Sequence, residues 1–218
     1  MTIRKHQGLA QLLSPPASIA KPPSTRYVKV SRRLSPTVRS ALRPFAKSVG
    51  ELVWAYNLAH SRLAWFFNSM FRDTDKNIGR VMWLTLQSDH LQRQLLIAAL
   101  EAITPANPIE RRMFKDVLWA AHKIDKLAQL RNDAVHMVTK MNSQHPQWEI
   151  LVEPTFTASK RAARLQAMKD MNKEFRLARS DLLQLTSYVG VRAIALLRLD
   201  KPLALQRRPR LLCPSAKG

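Results

Sequence analysis

From Phe114 to Val138 the apolar residues return every three or four positions: Phe114, Val117, Ala121, Ile124, Ala128, Val135 and Val138. Arg131 stands in the same row. That spacing is the period of an α-helix and excludes a strand, whose side chains alternate every two residues. Asn107-Pro108-Ile109-Glu110 supplies the start. Asn caps, Pro takes the first helical position, and Glu follows three residues after Asn. The spacing predicts a helix from there to about Met141.

The same reasoning places three more helices. The first starts at Ser35-Pro36, and Pro44 is expected to break or kink it. It resumes through Val53, Trp54, Leu58, Leu63, Trp65, Phe66, Phe67, Met70 and Phe71. This apolar girth suits a central helix or one that also meets a second subunit. The second runs from about Lys76 to Ile103 along the stripe Val81, Leu84, Ser88, Leu91, Leu95, Ala98. Ser88, the polar member, either bonds back to the helix carbonyl one turn earlier or, with Asp89, borders a cleft. The fourth follows Thr157 and runs to about Leu199, basic in its first half and apolar in its second. Residues 142–157 form the one longer connection, with a short extended segment around Ile150 and Val152. Short loops elsewhere make neighbouring helices antiparallel. The expected fold is all-α, an up-and-down four-helix bundle over residues 35–200. Residues 1–34 and 201–218 are expected to be disordered basic tails, though Tyr27-Val28-Lys29-Val30 suits a short strand.

Thirty-six Lys and Arg against fifteen Asp and Glu leave a net charge of +21. So large an excess points to an anionic partner such as nucleic acid, an acidic protein or an anionic membrane surface. In the fourth helix Lys160, Arg161, Arg164, Lys169 and Lys173 form a candidate nucleic-acid ramp. The plain alternative is an exposed helix with ordinary charge pairing, since Asp170, Glu174 and Asp181 are interspersed. The single cysteine, Cys213, excludes an internal disulfide and a cysteine-based zinc site, and fits a reducing compartment. No apolar run reaches the length of a membrane span. A cytoplasmic location without a membrane partner is therefore expected. The first acidic residue is Glu51, so an organelle transit peptide also fits the start, against Pro15, Pro16, Pro22 and Pro23.

The pointed chemistry lies in Arg131-Asn132-Asp133-Ala134-Val135-His136. Arg stays charged at any useful pH and grips phosphate with two N–H groups. His gives or takes a proton near neutrality. Beside the apolar row runs a polar one, His122, Asp125, Gln129, Asn132 and His136. It reads either as the wall of a cleft or as a solvated face past which Arg131 snorkels. A metal site is not expected, because two turns or more separate some of His122, Asp125 and His136. Nor is there a phosphate-cradling glycine loop or a Gly-x-Ser-x-Gly elbow. No cofactor is implied.

Arg131 to His136 resembles the Arg-(Asn/His/Asp)-x3-His signature of HEPN domains. These are small helical-bundle ribonucleases of toxin–antitoxin, abortive-infection and CRISPR systems. The resemblance covers about residues 45–141 and 158–199 and departs at Met137, where many members carry a small residue. It implies a metal-independent endoribonuclease that works as a homodimer on RNA, as a toxin or defence effector with an antitoxin protein as a further partner. Arg131 and His136 match the catalytic positions and Asn132 the polar residue between them. Five helical positions turn about 500°, so Arg131 and His136 point about 140° apart and two subunits would converge them better than one. On this reading His136 moves the proton, Arg131 holds the phosphate, Asn132 orients the imidazole or ribose, and Asp125, Ser88 and Asp89 are accessory. The family also contains members without catalysis. The alternative is an inactive helical scaffold that dimerises and binds nucleic acid through its basic tails and helix.

Overall fold

The computed structural model describes residues 36–71, 77–136, 139–142, 149–152, 168, 170–198 and 206–217, and these are mostly helical. The chain divides into Met1–Leu34 and Ser35–Gly218. The basic arm read at 1–34, with its Tyr27–Val30 strand, lies outside the described residues.

Helix α1 (Pro36–Ser69) touches the helices Ile78–Thr85, Asp89–Ala102, Pro108–Val135 and Met171–Leu197, which makes it the central helix. Its inward row is Leu52, Ala55, Tyr56, Ala59, Leu63, Phe66 and Phe67, all buried at helical spacing. Trp54 faces outward and is 55% exposed. Of the break or kink expected at Pro44, the break does not occur, and the helix runs through it. Proline removes only one backbone donor, and here it lies on an exposed flank. Tertiary packing holds the turns around it: Phe45 packs on the core and its ring lies 6.2 Å from that of Phe175.

The helix expected over 76–103 is two helices, α2 (Ile78–Thr85) and α3 (Asp89–Ala102). Ser88 is the reason. Its backbone is extended, and its Oγ accepts the N–H groups of His90 and Leu91 at 3.2 and 3.5 Å, which caps α3. The break rotates the apolar stripe out of register. Val81, Leu84 and Leu91 are 61%, 65% and 51% exposed, while Trp83, Leu96, Ile97 and Leu100 enter the core. Gly79 lets α2 lie against the end of α1, since a Cβ there would come within 2.8 Å of Asn68 Cα.

Helix α4 (Pro108–Val135) begins as its sequence indicates, with Asn107 Oδ1 accepting the Glu110 N–H at 2.9 Å. It ends at Val135, about six residues early, and His136 is its C-cap. Phe114, Val117, Ala121, Ile124 and Ala128 of the predicted row are buried. Strands β1 (Thr139–Asn142) and β2 (Glu149–Val152) pair antiparallel, with Thr139 opposite Val152. The extended segment expected near Ile150 is thus half of a hairpin. Helix α5 (Met171–Leu197) is capped by Asp170, whose Oδ1 accepts the Lys173 N–H at 2.9 Å. The stretch 158–167, where the helix was expected to begin, lies outside the described residues.

The C-terminal segment corrects the expectation of a disordered tail at 201–218. Residues 206–217 are docked, ending in a short helix α6 (Pro214–Lys217) that packs on α4 and α5. Two buried aspartates hold them. Asp181 accepts the backbone N–H groups of Leu212 and Cys213 at 2.8–3.0 Å. Asp116 takes Arg192 at 2.9 Å and Arg208 at 3.2 Å. Leu211, Cys213 and Ala216 are buried between these anchors. The basic residues of the segment masked this, because its apolar residues are few and lack a helical period.

Candidate functional site

Arg131 sits on the core-facing row of α4 at the point where that row reaches the surface, its side chain 22% exposed. Three groups fix its guanidinium. The ring of Tyr56, from α1, lies 4.4 Å below Cζ. Nη1 donates to Asn132 Oδ1 at 2.7 Å. Nη2 donates to Asp89 Oδ2 at 3.1 Å. Nε has no hydrogen-bond partner.

A second arginine stands behind the first. Arg93, on α3, is buried, and its Nε and Nη2 donate to Asp125 Oδ1 at 2.9 and 2.7 Å. Its Nη1 donates to the Tyr56 hydroxyl. Tyr56 therefore serves both arginines, one through its face and the other through its oxygen. His90 Nδ1 lies 3.6 Å from the same Asp125 oxygen. His60 stacks on the Tyr56 ring at 5.9 Å and leans on Trp83 at 5.3 Å. Burial pushes the Tyr56 phenol up to about 12, with Asp89 adding to the rise and Arg93 and Arg131 opposing it. Burial lowers the His60 imidazole, which keeps it neutral near pH 7. The cluster holds Arg93 and Arg131 against Asp89 and Asp125, so its formal charges cancel.

The structure thus joins Arg131, Asn132 and Asp89, three of the residues singled out in the sequence. The contacts of Asn132 and of the remaining residues differ from those expected. Ser88 spends its hydroxyl on the α3 backbone. Asp125 belongs to Arg93 and His90. Asn132 turns its oxygen to Arg131 instead of the imidazole. His136 is exposed at the C-cap, its backbone N–H bonded to Asn132 O at 3.1 Å, and its side chain takes no part in the cluster's hydrogen bonds. Of the polar row, His122, Gln129 and His136 are exposed and Asp125 and Asn132 are half-buried, so it is part solvated face and part cleft wall. Lys173 is exposed in the first turn of α5. Lys160, Arg161, Arg164 and Lys169 lie outside the described residues.

Tyr56, His60, His90 and Arg93 were not singled out in the sequence. Arg93 carried the signal that exposed Arg131: it precedes Leu96, Ile97 and Leu100 by three, four and seven positions, on the buried face. Among the described residues no group of three His, Cys, Asp or Glu is placed to hold a metal ion. No described helix is long and apolar enough to cross a membrane. No family model, curated protein or solved structure matches this chain.

Proposed function

We propose that this chain is a metal-independent endoribonuclease of the HEPN type, built as an up-and-down four-helix bundle that works as a homodimer. The observation that carries the reading is the clamp on Arg131. Tyr56, Asn132 and Asp89 hold its guanidinium in one orientation where the α4 row reaches the surface, with Nε buried and the side chain 22% exposed. A fixed guanidinium can stabilise charge developing on a phosphate without reorganising at the moment of reaction. His136, exposed beyond the end of the same helix, is free to reach an RNA strand.

The reaction follows from those two groups. The 2′-oxygen of the ribose attacks the neighbouring phosphorus, and the bond from phosphorus to the 5′-oxygen breaks. His136 of one subunit takes the 2′-hydroxyl proton or supplies the proton that the leaving 5′-oxygen needs, and solvent water carries the other. Arg131 binds the phosphate oxygens on which charge accumulates. The products are a 2′,3′-cyclic phosphate and a 5′-hydroxyl, and no metal enters the balance.

A specific observation favours a second reading, an inactive scaffold that binds nucleic acid. Asp89 already occupies Nη2 of Arg131 and competes with a phosphate for it. His136→Ala separates the two: it abolishes RNA cleavage and leaves binding intact on the first reading, and changes neither on the second.

A further inference from the structure

At the opposite end of α4 a groove of about 420 Å³ is lined by Pro108, Arg111, Arg112, Lys115, Asp116 and Arg208. Its one carboxylate is committed. Asp116 Oδ2 accepts from Arg192 Nε and Nη2, and Oδ1 accepts from Arg208 Nε. Arg111, Arg112 and Lys115 are exposed and form no ion pair with another described residue. Five cations, counting Arg192 beneath the floor, face one carboxylate and leave a formal +4. The concentration is local, unlike the charge-balanced cluster around Arg131.

We propose that this groove binds backbone phosphates of RNA. Its donors are flexible cationic ends at an open surface, which suits consecutive phosphates of a passing strand. Among the described residues that line the groove there is no aromatic ring for a base to stack on, and Arg208 lies over the ring of Trp119 at 5.2 Å. Contacts of this kind position a strand and carry no sequence information. Arg112 and Arg131 are nineteen positions apart, about 28 Å along the helix, so one phosphate cannot touch both. The groove is a second anchor, which favours strands long enough to reach it. The inference rests on RNA being the partner and does not depend on cleavage.

The test is fluorescence anisotropy with a 2′-O-methyl RNA of about 20 nucleotides, which cannot be cleaved through its 2′ position, titrated over a salt series. The groove variant is Arg111→Ala/Arg112→Ala/Lys115→Ala, all exposed positions. The control removes the same charge elsewhere, with Arg43→Ala/Arg80→Ala/Arg198→Ala, also exposed. Three single-strand contacts at ~0.7 each lower the slope of log affinity against log salt by about 2, and cost between about tenfold and a hundredfold at 0.1 M salt. The control is expected to lose less than about threefold. Equal losses in both variants, or none in the groove variant, overturn the groove. A wild type that binds no RNA overturns the RNA reading with it, whereas binding without cleavage of ordinary RNA leaves the groove standing.

Discussion

Replacing Asp116 by alanine should detach the C-terminal segment and expose how much of the fold depends on it. Arg192 is 0% exposed, and Asp116 is its sole carboxylate partner among the described residues. Its remaining acceptors are two carbonyls, Tyr188 O at 3.1 Å and Gln206 O at 2.7 Å, with the Tyr188 ring 3.3 Å from Cζ. Removing one member of a buried pair costs about 3–5 kcal/mol, because it strands the other charge away from water. The two carbonyls and the ring place Asp116→Ala near the lower end, about 3 kcal/mol. For a chain of this size that lowers the melting temperature by roughly 10 °C. The assay is urea and thermal unfolding by circular dichroism, run as a cycle with Arg192→Met and the double variant. A coupling of about 2 kcal/mol is expected. Acid should act the same way. Although burial alone would raise the Asp116 carboxyl, Arg192, Tyr188 and Arg208 hold it below its ordinary value of 3.8. Its stabilisation is therefore complete above that value and is lost as pH falls below it. A loss under about 1 kcal/mol, additive single variants, or an unchanged acid limb in Asp116→Ala would show that Asp116 does not anchor the segment through Arg192.

Two further outcomes follow from the same contacts. Ser88→Ala should cost about 1 kcal/mol by uncapping α3 and leave RNA affinity unchanged within twofold, measured by denaturation and anisotropy; a selective loss of affinity would restore Ser88 to the site. Cys213, the only cysteine, is buried and its thiol is pushed up from the usual value by that burial. It should react slowly with a thiol reagent at neutral pH, and Asp181→Ala should accelerate it more than tenfold by releasing the segment. Equal rates would show that the aspartate does not hold the segment down.

The helical class and the α4 face were legible because burial there follows one period from Phe114 to Ala128. Arg131 stood out as a charge in that row, and it is the residue around which the polar cluster is built. The break at Ser88 was not legible by the same logic. The apolar spacing from Val81 to Leu95 continues through it, and only the cap, a local backbone competition, decides against one helix. Pro44 shows the reverse, a local breaker overridden by packing. Tyr56 and Arg93 come from helices remote in sequence, and their meeting depends on the α1–α3–α4 packing that no local pattern records. The docked C-terminus was hidden for a related reason. Its anchors are Asp116 and Asp181, buried carboxylates in distant helices, and its own sequence is basic and proline-containing, with too few apolar residues to show a period.

The most direct test of the account is cleavage of single-stranded and structured RNA in EDTA by the purified protein, beside His136→Ala and Arg131→Ala. The expected result is cleavage by the wild type alone, with 2′,3′-cyclic phosphate ends and with RNA binding retained by His136→Ala. Cleavage that EDTA abolishes and Mg²⁺ restores, or activity unchanged in His136→Ala, would contradict it. Binding without cleavage in every variant would leave the Tyr56–Arg131–Asp89 cluster as a structural device of an RNA-binding scaffold.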